Sequence, residues 1–203
     1  MLRLYQDVFN AISRLNFSTS PSESLAKLCK YKFTWVDIAE HVFLAALAAP
    51  WLVLVPIIPF LLKLMVPPLV VALLVTPVTG QLFIPAAPVL IWANSWYASQ
   101  FIPSEYRPQI SVALLPTLES VLYGRNISDI LTRYTNPILN VLAWLPYGVI
   151  HFTAPFIVAA ALWLWRPNAG KENNEALKLW ARAFGYMNLV GVLIQLAFPC
   201  SPP

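Results

Sequence analysis

ILNVLAWLPYGVIHFTAPFIVAAALWLW, residues Ile138–Trp165, runs for 28 residues without an Asp, Glu, Lys or Arg. A helix of that length rises about 42 Å, more than the ~30 Å hydrocarbon core of a bilayer. Polar and apolar residues do not alternate along it, which argues against a barrel strand. Lipid supplies no partner for backbone amides, so only helices or closed barrels can span it. The rest of the chain has the same character, with 59% apolar and 11% charged residues, against roughly a quarter charged in ordinary soluble domains. That is too little charge to cover 203 residues in water. The expected fold is therefore all-α, a polytopic transmembrane helical bundle.

About five spans are predicted: Val36–Val55, Pro59–Pro77, Leu82–Ile102, Ile138–Trp165 and Leu179–Phe198. In the second, Pro67–Pro68 removes two amide donors and should kink or break the helix; Lys63, near one end, should snorkel to the headgroups. Residues 1–34 are expected to form an arm outside the membrane, polar and too long for a cleaved leader. Leu4, Val8, Phe9, Ile12 and Leu15 recur at helical spacing opposite Arg3, Asp7, Asn10 and Arg14, which fits either an amphipathic surface helix or a frayed tail. Ser18–Ser24 reads as a polar linker before the basic stretch Lys27–Lys32. The remaining residues, 35–203, form the membrane region.

Basic residues set the orientation. The arm holds Arg3, Arg14, Lys27, Lys30 and Lys32, and the connection between the last two spans holds Arg166, Lys171 and Lys178, with Arg182 just inside the fifth. The 103–137 loop balances Arg107, Arg125 and Arg133 with Glu105, Glu119 and Asp129. The N-terminus is thus predicted to be cytosolic, with loop 103–137 and the C-terminus lumenal or exterior. In that loop Val112, Leu114, Leu115, Leu118, Val121 and Leu122 could bed a short helix into the interface. Asn126–Ile127–Ser128 is formally a glycosylation sequon, though so near the membrane that attachment is not expected. Cys29 and Cys200, predicted on opposite sides, form no disulfide or metal framework. The net charge of +4 is a topology signal; Lys27, Lys30 and Lys32, the longest basic cluster, do not make a nucleic-acid surface.

Candidate chemistry is sparse. His41, beside Glu40 at the start of the first span, suits an interfacial role. His151 lies mid-span, where a polar ring is expensive and should face the bundle interior or a wet cavity; a histidine bonded across helices for packing fits equally well. No second histidine, nucleophile elbow or phosphate-cradling glycine loop accompanies it. Glu119 and Asp129 share a loop, but paired-carboxylate catalysis needs more than sequence proximity. Arg107-Pro108 follows Gln100 at the spacing of the lipid-phosphatase pattern K-x6-R-P, with glutamine for lysine. Arginine there could clamp a phosphate bidentately or anchor at headgroups. Phe184-Gly185-Tyr186-Met187-Asn188, with Gln195, combines a small residue with hydrogen-bonding groups, a pattern of helix packing.

Several blocks in order carry a family likeness. Leu114-Leu115-Pro116 with Glu119, Leu122-Tyr123-Gly124, Asn126 and Ser128-Asp129-Ile130-Leu131 form one. Leu142-Ala143-Trp144-Leu145-Pro146-Tyr147-Gly148, His151-Phe152 and Ala154-Pro155-Phe156 form a second. Phe184-Gly185-Tyr186-Met187-Asn188-Leu189, Gly191-Val192, Phe198-Pro199 and Pro202-Pro203 form the third. Together they resemble the fungal inositol phosphorylceramide synthases, densely from about residue 76 onward. The resemblance implies a Golgi membrane enzyme of the type 2 phosphatidic acid phosphatase superfamily. It would move phosphoinositol from phosphatidylinositol to the primary hydroxyl of ceramide, with no metal or other cofactor. It implies lipid partners and no nucleic acid, and leaves room for an accessory membrane subunit. In that family two histidines and an aspartate do the chemistry, in a Pro-Ser-Leu-His-Ser type motif and a later His…Asp motif. Neither motif occurs here and His151 sits in neither, so no catalytic residue is assigned. The chain is expected to be an N-terminal portion, truncated before those motifs and inactive alone. Tyr147, His151, Phe152, Asn126, Asp129, Arg107, Tyr186 and Asn188 are the candidates to line a substrate cavity. A non-enzymatic scaffold or regulatory subunit of the same ancestry is the alternative. A transporter is a third, for which the expected inverted repeats are not found.

Overall fold

The computed structural model describes residues 2–134, 136–165 and 175–200, and among these it is helical, with a lone parallel bridge between Ser111 and Cys200. The helices are α1 (Leu2–Ser13), α2 (Pro21–Lys30), α3 (Trp35–Leu54), α4 (Phe60–Val75), α5 (Pro77–Ser99), α6 (Leu114–Tyr123), α7 (Ile127–Thr132), α8 (Pro137–Trp144), α9 (His151–Trp165) and α10 (Glu175–Ala197). A six-residue π-helical turn, Leu145–Ile150, joins α8 to α9 without a break, giving one 29-residue helix from Pro137 to Trp165. The predicted charges Arg166 and Lys171, and Pro202–Pro203 of the third family block, lie outside the described residues.

Local chemistry explains several boundaries. Thr34 and Asp37 form a reciprocal capping box at the start of α3: Asp37 N–H donates to Thr34 Oγ1 at 3.2 Å and Thr34 N–H to Asp37 Oδ2 at 2.9 Å. At the other end Lys63 Nζ donates to Val53 O at 2.7 Å, so this lysine satisfies an orphan carbonyl of α3, a use distinct from the expected snorkelling. Within the expected linker, Pro21 at a helix-starting position and Glu23 in the first turn open α2, and Lys27 pairs with Glu23 at 2.8 Å.

The expected break at Pro67–Pro68 does not occur; both prolines lie inside α4. The chain turns instead at Thr76–Pro77, where α4 and α5 meet at a bend of 108°. A residue before proline is pushed out of the α region, and Thr76 is extended at φ −76°, ψ 123°. Its hydroxyl donates to Ala72 O at 2.7 Å and closes α4. Three helices, Trp35–Leu54, Pro137–Trp165 and Ala176–Ala197, are long and apolar enough to cross a membrane, or up to four if the bent pair is one span. Of the five expected spans, three are helices that pass this measure singly, while α4, whose 16 residues rise only about 24 Å, passes only together with α5.

α5 is the central element, packed against α10, α3 and α4. Trp51, Val55 and Ala98 form a buried cluster with Leu54, Ile58, Phe101, Ile102 and Leu196 against it, so the C-terminal ends of α3, α5 and α10 meet. Glu40 near the start of α3 reaches Arg182 near the start of α10; α3 and α10 therefore run in the same direction. Ser111 N–H donates to Pro199 O at 2.9 Å, tying the 103–137 loop to that same C-terminal end. α1 is helical and packs on α9, with Ala11 only 1% exposed. Asn16 and Gln81 exchange hydrogen bonds of 3.0 and 2.8 Å, holding the arm to the first turn of α5.

Candidate functional site

Pro146 shapes the middle of the long helix. Without an N–H, and with a ring that crowds the carbonyl four residues back, it disfavours continuous α geometry. The helix widens there by one residue, and His151 N–H donates to Pro146 O, five residues earlier. Such π turns are frequent at functional positions. At Gly148 a Cβ would press on the exposed Trp144 indole, which would have to swing aside. His151 stacks on Tyr147 with centroids 5.7 Å apart and planes 6° from parallel, and meets Phe152 edge-on at 5.4 Å. His151 lies 14 residues from either end of the Pro137–Trp165 helix, about 21 Å from each. All three rings are exposed on the helix surface. Ring contacts set the position of the imidazole, and its nitrogens can donate to or accept from a polar group otherwise stranded in hydrocarbon.

The loop candidates have structural partners. Arg107 does not face an open anion site: its Nε donates to Ile102 O at 2.7 Å and its Nη2 to Gln100 O at 2.8 Å. The Gln100–Arg107 spacing thus closes the C-terminus of α5, where a cation is favoured. Asn126 caps α7, accepting from Asp129 N–H at 3.0 Å, and Asp129 pairs with Arg133 at 2.7 Å on an exposed surface. An asparagine engaged as a helix cap fits poorly with glycan attachment at the sequon. Glu119 accepts from both the hydroxyl and the N–H of Ser128. The hydroxyl first, then the backbone N–H, hold its carboxyl below the usual carboxylate range.

Tyr186 and Asn188 lie elsewhere. Tyr186 Oη donates to Glu40 Oε1 at 2.9 Å, and the Arg182 guanidinium pairs with the same carboxylate, whose side chain is 14% exposed. Asn188 Nδ2 donates to Phe184 O at 2.8 Å within its own helix. His41 Nδ1 sits 2.6 Å from Asp37 O, consistent with a place at the helix start. The structure therefore brings together Tyr147, His151 and Phe152, and separately Asn126 and Asp129. Among the described residues no hydrogen bond or ion pair joins Arg107, Tyr186 or Asn188 to either group. The Glu40–Arg182–Tyr186 clamp was not foreseen, because its ends are 142 residues apart in sequence. Its one legible signal was a carboxylate and an arginine set just inside two apolar spans. Among the described residues no three His, Cys, Asp or Glu side chains converge on a point that could hold a metal.

No family model matches the chain. No solved structure matches it. The chain is 42% identical over 190 residues to the inositol phosphorylceramide synthase catalytic subunit of Schizosaccharomyces pombe, covering 94% of this chain and 43% of that protein. It is 41% identical over 194 residues to the inositol phosphorylceramide synthase of Candida albicans, covering 96% and 40%. To the catalytic subunit of Saccharomyces cerevisiae it is 40% identical over 192 residues, covering 95% and 46%. The chain spans less than half the length of these relatives. By sequence, it belongs with the N-terminal portion of the fungal inositol phosphorylceramide synthases.

Proposed function

We propose that this chain serves sphingolipid synthesis in a fungal Golgi membrane, as the N-terminal membrane part of an enzyme that transfers phosphoinositol to ceramide. In that transfer the P–O bond to diacylglycerol breaks, a P–O bond to the ceramide primary hydroxyl forms, and the hydroxyl proton passes to the departing diacylglycerol oxygen. The observation that carries this is identity of about 40% to three synthases over about 95% of the chain. These residues contain no histidine motif suited to attack phosphorus, so they are assigned substrate-facing and scaffolding parts, and no transfer is expected from them alone. The exposed Tyr147–His151–Phe152 face is the assigned substrate contact: aromatic rings suit an acyl or sphingoid chain, and the imidazole suits a hydroxyl or phosphate oxygen beside it. Asn126, Asp129 and Arg107 belong to the loop at the membrane end where the C-terminus of α10 also lies, which the basic-residue distribution makes lumenal, with the arm cytosolic. Two relatives are named catalytic subunits, which supports a companion membrane subunit.

The test is a chimera in which these 203 residues replace the matching part of the Saccharomyces cerevisiae synthase. Membranes containing it are expected to make inositol phosphorylceramide from labelled phosphatidylinositol and ceramide. A chimera that inserts and accumulates normally yet makes none overturns the proposal. In the same chimera His151→Ala is expected to lower kcat/KM at least tenfold, and Tyr147→Ala and Phe152→Ala less. Unchanged kinetics in all three would remove the substrate-contact assignment while leaving the family intact.

A further inference from the structure

Between the end of α5 and the start of α8, the chain forms a short helical hairpin. Gly124, left-handed at φ 74°, ends α6, and Asn126 opens α7 two residues later. Glu119 of α6 latches onto the first turn of α7 through Ser128. α6 and α7 pack chiefly on each other, not on the bundle. At about 100° per residue, Leu114, Leu115, Leu118, Val121 and Leu122 fall within roughly 120° of the α6 surface, with Ser120 on the far side. Most of that stripe is open: Val121 is 75%, Leu122 71%, Leu118 45% and Leu114 40% exposed, with Leu115 half-buried.

We propose that this hairpin lies in the plane of the membrane, its Leu114–Leu122 stripe seated in the acyl boundary of the leaflet at the C-terminal end of α10. α6 rises only about 15 Å, half of what crossing requires, so it cannot be a span. Both ends of the segment are fixed to the ends of apolar helices. Ser111 is bonded to Pro199 just past α10, and Pro137 begins the long helix, none of whose residues is fully buried. The stripe is thus continuous with the lipid-facing surface of the bundle and held at headgroup depth. Tyr123 and Tyr134, both exposed, and Arg125 and Arg133 supply the aromatic and cationic groups that the interface favours. Lipid, not a protein groove, is the occupant these neighbours fit.

The test uses the whole chain in phosphatidylcholine vesicles, with Cys29→Ser and Cys200→Ser as background. An environment-sensitive fluorophore is attached at Val121→Cys, at Leu118→Cys as a second stripe position, or at Ser120→Cys on the far side. The stripe labels are expected to be quenched at least twofold more by lipids with a nitroxide high on the acyl chain than the Ser120 label is. Aqueous iodide should quench in the reverse order. Stripe labels as open to iodide as the Ser120 label overturn the proposal, because the hairpin then stands in water. Stripe labels shielded from both quenchers overturn it too, because protein then covers the stripe. A Ser120 label quenched by lipid as strongly as the stripe also overturns it, since the hairpin would be submerged.

Discussion

Trp51, Val55, Ala98, Leu189 and Val192, on α3, α5 and α10 or just beyond the end of α3, are all less than a tenth exposed, whereas the helix from Pro137 to Trp165 buries none of its residues. Yet the long helix is the more apolar. In water that ordering would be reversed, since apolar surface drives burial. In lipid the tails are as apolar as leucine, and helices associate through close backbone approach and interhelical polar bonds. The packed trio has both. Gly185 lets α10 settle on the backbone of Pro88 and Val89, Ser95 and Ala98 keep α5 thin where it is fully covered, and Glu40 bonds Arg182 and Tyr186 across helices. The long helix offers bulky side chains and one stacked histidine, and stays at the rim.

The largest expected effect is at the close approach. A Cβ on Gly185 would lie 2.5 Å from Val89 N and 2.6 Å from Pro88 C, and backbone must move to admit it. Gly185→Ala should lose about 1–3 kcal/mol of stability in reversible unfolding from mixed micelles. Gly191→Ala, in the same helix with nothing within 4 Å, should be neutral or gain up to about 1 kcal/mol. Equal losses at the two glycines would break the comparison. Next is the clamp. Glu40→Gln and Arg182→Met, taken singly and together, should show a coupling of about 1–2 kcal/mol, at the upper end for interhelical polar bonds in membranes. A cycle that closes additively would mean the carboxylate does not hold α3 to α10. Smallest are Phe156→Ala and Ile157→Ala on the long helix, expected to stay within about 0.5 kcal/mol. Losses above that in the isolated chain would show that this face is held by protein.

The helical membrane fold was legible because charge-free runs such as Ile138–Trp165 have no other stable form in lipid, and that helix begins within one residue of expectation. The path near the prolines was not. Pro67–Pro68 and Thr76–Pro77 carry the same local signal, and only tertiary context decides which of two such pairs turns the chain. Tyr147 and His151, among the candidates to line a cavity, stack because residues four apart are neighbours on a helix face, whereas the edge contact of His151 with Phe152 joins adjacent residues and is not contained in that spacing. Arg107 was read as a phosphate clamp or a headgroup anchor, and its guanidinium donates to the carbonyls of Ile102 and Gln100, because that group answers helix-end carbonyls and phosphates alike. The pairing of Glu40 with Arg182 and Tyr186 depends on which helices become neighbours, and periodicity within one helix does not contain that.

The widened turn at Leu145–Ile150 has a consequence for azimuth. Each residue of an α-helix rotates the next side chain by about 100°, so one surplus residue absorbed in a single turn offsets everything after it by about that angle. Asn140 and Trp144 before the turn keep one compass bearing, and Phe152 and Phe156 after it keep another. One rod thus shows two differently oriented faces to its surroundings. Its lower and upper halves can answer to unlike neighbours, and removing a single residue at the turn would swing the entire second half round without altering its composition.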